Sequence, residues 1–290
     1  MWMDLDKIFR NSDVSTKLKE NYRTFVLVDI QYRDKLKSTI ERPNAFKACT
    51  TQNGLADFKE WIRALEKLQK SIELHLDEQR VLFPRYYFLS NEELLMITST
   101  SQDPKNVQKF FGNMFQNILE LEFDPERPDS ILAIVSHEKE PLSVPSSTKT
   151  KGSVEEWLRV LENAMLNSLK RFTIEANRET KNLSKKDFVL SYPTQVVCTV
   201  EMMEFANSIE GLLAQAVSSD KMQEQYDSIY YMIDDLTLFI RENHPYYIER
   251  RLSTLIGQHI HNRDNTEMLK DEGVSSVQDY RWQRVKSSII

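Results

Sequence analysis

Glycine is scarce in this 290-residue chain, at six positions, and proline is modest at nine. That shortage disfavours a loop-rich or all-β fold and leaves room for long helices. Cysteine occurs only at Cys49 and Cys198, far apart and in no metal-ligand or redox spacing, so both are expected to be reduced, packed thiols of a cytosolic setting. The longest uncharged run, Phe188 to Val200, has 13 residues with Pro193 inside it. A membrane-spanning helix needs roughly 18 or more apolar residues, so none is expected. The amino terminus, Met1-Trp2-Met3-Asp4, is acidic early and lacks a signal-peptide core. Positive charge is not in excess either: 38 Lys and Arg stand against 44 Asp and Glu, a net charge of −6. With no nucleic-acid motif in the chain, that balance argues against a general nucleic-acid binder.

Catalytic signals are missing as well. No glycine precedes Lys-Ser or Lys-Thr, and no two share dinucleotide-fingerprint spacing, so the backbone cradle for a nucleotide phosphate is not encoded. The histidines are His75, His137, His244, His259 and His261. His259 and His261 point to opposite sides of a helix, and His261 with Asp264 supplies too few ligands for zinc. All five are expected at the surface or partly packed. A di-metal carboxylate bundle would need Glu-x-x-His on two helices, and that tetrad does not occur. Cys198 sits among Val196, Val197 and Val200, the surroundings of a core thiol. Glu155-Glu156 and Asp234-Asp235 are expected as helix-start charge and solvated face. Neither a metal site nor a thiol enzyme emerges.

What the chain does have is helical periodicity. Leu18, Tyr22, Phe25, Tyr32, Leu36 and Ile40 predict one helix between Ser15 and Arg42, with Asp29 paired to Arg33 one turn on and Pro43 as the stop. From Leu55 to Gln79, Phe58, Ile62, Leu65, Leu68, Ile72 and Leu76 share a face, with Trp61 beside the stripe. Such a helix is roughly 37 Å long, natural for a rod. Asn53-Gly54 punctuates the loop before it, and Asp103-Pro104 predicts a capped helix to Asn117. Three short apolar runs, Leu119–Phe123, Ser130–Val135 and Pro141–Val144, predict a β-hairpin or three-strand meander. Ser153 with Glu156 opens a helix carrying Trp157, Leu161, Met165, Leu169 and Phe172 inward. Ser184 with Asp187, Pro193, Asp220 and Pro245 open four more, the last ending near Gly273.

The densest segment is Phe83-Pro84-Arg85-Tyr86-Tyr87-Phe88-Leu89-Ser90-Asn91-Glu92-Glu93-Leu94-Leu95. Its proline is expected to hold the aromatic run extended and non-helical, after which Ser90 and Glu93 stand in capping-box register and start a helix at once. Such a segment reads as a fixed joint between packed helices. Phe83, Pro84, Arg85, Tyr86, Tyr87, Phe88, Ser90 and Glu93 are the candidate docking and joint residues. One member of each doublet, Tyr86-Tyr87 and Tyr246-Tyr247, is expected to turn away from its own core. Candidate flexible points are Ser146, Ser147 and Gly152 in the Ser/Thr/Lys loop, and His244 with Pro245 at a helix break.

These blocks, in order, resemble the linker region of dynein heavy chains, the segment just before the first AAA+ module. The resemblance is carried by Trp2, Leu5, Ile8 and Phe9; by Lys47–Leu55; by Phe83–Leu95 with Asp103-Pro104; by Val154–Leu158; by Pro193, Gln195, Val196 and Val197; and by Arg263-Asp264 with Val274–Gln283. Tyr192 stands before Pro193 where the family is expected to have Trp. The resemblance implies a mainly α fold: an elongated, curved multi-helix linker rod with a small β insertion. It further implies an N-terminal helical part over 1–145, with the β segment at about 119–144, and a C-terminal helical part over 152–290 leading toward the ring.

The implied function is that of a mechanical lever, coupling ATP-driven changes of an AAA+ ring to movement of tail and cargo. The chain itself would be no enzyme and would bind no cofactor, with ATP and Mg expected only in the AAA+ modules that it lacks. Implied partners are the AAA+ ring of the same heavy chain, the dynein tail with its subunits and, indirectly, microtubules. The location implied is cytoplasm and cytoskeleton, and the Val274–Gln283 block leans toward the ciliary axoneme. Either a fragment or a truncated gene product fits this extent. A stand-alone helical scaffold or tether is the alternative; continuation of the gene past Ile290 into a phosphate-binding loop separates the two.

Overall fold

Apolar residues at helical spacing, interrupted by proline, asparagine and glycine, set the order of elements in the computed structural model, which describes residues 1–10, 12–50, 54–99, 104–214 and 219–289. The first are α1 (Trp2–Phe9), α2 (Ser12–Lys17), α3 (Lys19–Glu41), α4 (Ala45–Cys49) and α5 (Gly54–Leu82). A 3-10 turn (Pro84–Phe88) leads to α6 (Asn91–Ser99), α7 (Pro104–Gln108) and α8 (Phe111–Met114). The strands are β1 (Glu120–Phe123), β2 (Ile131–Val135) and β3 (Pro141–Ser143). Then come α9 (Val154–Glu179), α10 (Lys185–Ser191), α11 (Thr194–Ala214), α12 (Ser219–Phe239), α13 (Tyr246–Asp271) and α14 (Tyr280–Ile289). The fold is mainly α with a small β insertion, as the sequence pattern predicts. Two compact units divide it: Met1–Leu119 with Lys149–Val160, and Glu120–Thr148 with Leu161–Ile290.

In the first unit α3 and α5 form the frame. Trp61 Nε1 donates to Gln31 Oε1 at 2.7 Å, and Asn21 donates to Ser71 at 3.3 Å, so the two helices run antiparallel. The expected pair Asp29–Arg33 is present at 2.9 Å. The core stripe of α5 differs from expectation at its amino-terminal half. Trp61 is buried with Leu65, Leu68, Ile72 and Leu76, whereas Phe58 and Ile62 are exposed. The helix phase there is set by the large indole, whose hydrogen bond to Gln31 lets its polar edge be buried. Cys49, expected to be packed, is exposed on the short α4.

Two further expectations are corrected by the backbone. Residues 83–89 are not simply extended: Tyr86 N–H bonds Phe83 C=O at 3.0 Å and Leu89 N–H bonds Tyr86 C=O at 3.2 Å, closing a 3-10 turn. Proline is compatible with the first position of a helical turn, so only the flanking Phe83 and Leu89 are extended. The helix expected from Pro104 to Asn117 breaks at Lys109-Phe110 into α7 and α8, which turns Phe111, Met114 and Phe115 into the core. Its expected cap, Asp103, lies outside the described residues, as do Asn53 and residues 215–218.

In the second unit the strands form the meander β1-β2-β3, antiparallel, with Ile134 opposite both Leu121 and Leu142. Order along the chain groups these strands with the N-terminal part, whereas their contacts group them with the second unit. The helices bury two apolar clusters. One joins Ala176 of α9, Phe188 and Val189 of α10, Val196, Val197 and Val200 of α11, and Leu252 and Leu255 of α13. The other joins Phe205, Ile209, Met222 and Leu269 with Trp282 and Val285. Those last two come from α14, a helix beyond the expected set. Its signal is local: Asp279 Oδ1 accepts the Arg281 N–H at 2.9 Å, an N-terminal cap. Helix α13 ends as predicted, with Gly273 at φ +64 and Val274 N–H bonded to Leu269 C=O at 3.0 Å.

Candidate functional site

The 3-10 turn between α5 and α6 sorts its aromatic residues by direction. Phe83, Tyr86 and Leu89 are buried, while Tyr87 and Phe88 are 65% and 69% exposed. Three residues per turn place positions 83, 86 and 89 on one side and leave the two between them outside. The sequence-predicted split of the doublet is therefore present, and Tyr246 is likewise exposed beside half-buried Tyr247.

Contacts from the turn and the end of α5 reach α8 and α9. The Phe83 and Tyr86 rings meet edge to face at 5.1 Å. Tyr86 Oη donates to Glu155 Oε1 of α9 at 3.4 Å, and burial, then the nearby Glu155 charge, pushes the phenol well above its ordinary pKa. Arg85 donates to Met114 C=O at 3.1 Å, with its guanidinium 4.6 Å from the Phe115 ring centre. Arg159 of α9 donates to Leu82 C=O at the end of α5.

The capping box forms as the sequence predicts. Ser90 N–H donates to Glu93 Oε2 at 2.8 Å and Ser90 Oγ accepts from Glu93 N–H at 3.2 Å. The other Glu93 oxygen accepts from Asn113 Nδ2 at 2.9 Å. Arg80 donates to Asn91 at 2.7 Å and lies 5.9 Å from the Tyr87 ring. The eight joint residues thus lie in one place, held by α5, α6, α8 and α9.

The other sequence-predicted points are scattered. Ser146 and Ser147 are exposed, although Ser146 C=O accepts from Ser130 Oγ at 3.2 Å. Gly152 has φ +88, and a Cβ there would meet Glu156 Oε2 at 2.1 Å. His244 Nε2 lies 2.9 Å from Phe239 C=O, and Pro245 caps α13.

Sequence reasoning missed the buried polar seam between α11 and α13 in the second unit. Arg251 is 3% exposed and donates to Glu140 of the meander, to Thr194 Oγ1 at 3.2 Å and to Val189 C=O. Glu140 also accepts from Thr194 N–H at 2.8 Å. Two turns further along α11, Glu201 is buried against Lys185, with His259 Nε2 3.4 Å away. His259 is thus buried and not at the surface, because it lies on the α13 face turned to α11. Burial pushes the Glu201 carboxyl up, but His259 and Lys185 outweigh it and hold the pKa below the ordinary value. Cys198 lies between the two pairs, and burial, then Glu201, pushes its thiol up to about 11, an unreactive state. The only hint in the sequence was a glutamate and an arginine at core-facing helical positions.

Among the described residues, no group of three or more His, Cys, Asp or Glu is placed to hold a metal ion. No described helix is long and apolar enough to cross a membrane.

Residues 1–176 match the family described as dynein heavy chain, N-terminal region 2. The chain is 30% identical to human dynein axonemal heavy chain 6 over 304 aligned residues, covering 98% of this chain and 7% of that protein. Against mouse dynein axonemal heavy chain 12 the identity is 28%, covering 97% of this chain and 9% of that one. Against the Chlamydomonas reinhardtii dynein-1-beta heavy chain of the flagellar inner arm I1 complex it is 30%, covering 97% and 6%. The chain therefore spans less than a tenth of the length of these relatives.

Proposed function

Because this chain belongs to the dynein heavy chain family through its N-terminal region 2, we propose that it is the linker segment of a dynein motor, a lever that carries force and catalyses nothing. In this reading ATP and Mg are bound by AAA+ modules elsewhere in the polypeptide. Their changes of state act on this segment, which moves tail and cargo relative to microtubules. The axonemal and flagellar relatives support a place in the ciliary axoneme.

The observation that carries the reading is the joint at residues 83–93. A lever must pass force between helices without yielding, and close-packed side chains with satisfied hydrogen bonds provide that. Phe83, Tyr86 and Arg85 tie α5 to α8 and α9, and Ser90 with Glu93 fixes where α6 begins. Tyr87 and Phe88 remain outside, where they dock on the ring. Flexibility is assigned to the loop 145–152 and to the break at 243–245. The first contains a crossing between the two compact units, at Thr148/Lys149.

The test is made in a heavy chain containing this segment. Replacing Tyr87 and Phe88 together by Ala is expected to preserve ATP hydrolysis while slowing microtubule gliding severalfold. Gliding speed and stall force equal to the parent protein would refute the docking role.

A further inference from the structure

Helices α10 and α11 meet at a corner, Tyr192-Pro193, whose caps come from remote parts of the chain. The first helical bond of α11 runs from Val197 N–H to Pro193 C=O at 3.0 Å, so Pro193 stands at the N-cap, where its ring offers no acceptor. Glu140 Oε1 accepts from the Thr194 N–H instead, at 2.8 Å, and also from Thr194 Oγ1 at 2.9 Å. On the other side of the corner, the Val189 and Leu190 carbonyls in the last turn of α10 accept from Arg251 of α13. Arg251 and Glu140 pair with each other, and Arg251 Nε reaches Thr194 Oγ1 at 3.2 Å. A carboxylate thus sits at a helix N-terminus and a guanidinium at a helix C-terminus, the favourable sign at both ends. Neither group is local: Glu140 lies 54 residues from Thr194, and Arg251 lies 62 residues from Val189.

Glu140 is presented by a built turn between β2 and β3. Ser136 N–H bonds Glu140 C=O and Lys139 N–H bonds Ser136 C=O, both at 3.0 Å. Ser136 Oγ accepts from the Glu138 and Glu140 N–H groups at 3.2 Å. Lys139 has φ +68, the only positive φ outside glycine among the described residues, a left-handed conformation that lysine adopts with strain. The polypeptide leaves the first unit for the meander between Leu119 and Glu120, and returns to it between Thr148 and Lys149. The strands are only 4, 5 and 3 residues long, and so small a sheet is stable only where it is packed. Neither of the two apolar clusters of the helices contains a meander residue. We propose that Glu140 is a releasable clasp, which straps the meander to α10, α11 and α13. When it opens, the meander lifts as a unit while the helices stay folded. Tension that enters at either crossing is then borne by the clasp before it reaches the helix cores. That mechanical use rests on the lever reading, whereas the clasp itself does not, so it is tested in the 290-residue chain and not in a motor.

Deuterium exchange under native conditions is compared in the parent, in Glu140→Gln and in the double variant Glu140→Leu with Arg251→Met. In Glu140→Gln the Thr194 amide and the ladder amides of β2 and β3 are expected to exchange about tenfold faster, with mid-helix amides of α11, α12 and α13 unchanged. The double variant guards against simple loss of the fold, since it leaves neither charge of the pair buried alone. Its urea midpoint is expected near that of the parent, with the same amides still fast. Acceleration spread evenly over meander and helices overturns the proposal, because the pair then stabilises the unit as a whole. So do meander amides that stay as slow as in the parent, or a fast meander with Thr194 unchanged, since the sheet then opens without the clasp. Loss of the whole fold in both variants overturns it as well.

Discussion

Arg251 is 3% exposed, and its guanidinium donates to Glu140, Thr194 and the Val189 carbonyl. Removing one member of such a pair leaves the other charge buried alone, at a cost of about 3–5 kcal/mol, whereas replacing both by apolar groups is often near neutral. Arg251→Met is therefore expected to destabilise the second unit strongly in urea unfolding, and adding Glu140→Leu to recover most of the loss. Two single losses that add fully in the double variant would show that the pair is not coupled. Glu201 makes a different prediction. Its folded-state pKa lies below 4.5, so its ionised form contributes stability above that value, and the contribution is lost as pH falls through the folded-state pKa. The stability gap between the parent and Glu201→Gln is expected to shrink as pH drops from 7 to below 4.5. A gap that stays constant across this range would contradict the assignment. Neither pair is legible in the sequence, because a charged residue's partner comes from a remote part of the chain: 111 residues separate Arg251 from Glu140.

At the scale of elements, the local signals proved readable wherever the physics was local. The boxes Ser90/Glu93 and Ser153/Glu156 and the cap at Ser184 all form, since each joins groups only three residues apart. The two glycines with positive φ differ in a way that can be measured. A Cβ added at Gly273, φ +64, would meet no atom within 4 Å, so Gly273→Ala brings only left-handed backbone strain. That strain is about 1–2 kcal/mol. Gly152, at φ +88, also faces the Glu156 carboxylate that caps α9, so Gly152→Ala adds loss of the cap. That loss adds about 1 kcal/mol. Unfolding by urea is expected to rank Gly152→Ala as the more damaging; the reverse order would mean that the cap contributes little. Elements failed to be legible where long-range packing chose among local options. The break between α7 and α8 and the phase of α5 around Trp61 both follow from what the neighbouring helices bury.

For the whole molecule, the lever reading requires stiff helices with give in few places. Amides of residues 146–151 and of Asn243 and His244 are expected to exchange with deuterium faster than those of α11 and α13, because fewer buried contacts hold them. Equal protection throughout would remove both flexible points. The loop is not featureless, however. Thr148 is buried, and its N–H donates to Pro145 C=O at 2.9 Å, so fast exchange is expected at Ser146 and Ser147 before Thr148.

By itself the sequence determined the mainly helical class, the meander, most caps and the kinship with dynein heavy chains, because these depend on spacing, on residues within a turn of one another and on blocks in order. Only the tertiary structure decided which aromatic residues of the joint face inward and which indole sets the phase of α5. It alone decided, too, that Glu201, Arg251 and His259 are buried, with half-buried Glu140 against Arg251. Those outcomes depend on neighbours brought together across the fold, and burial of charge is tolerable only where such a neighbour supplies the matching partner.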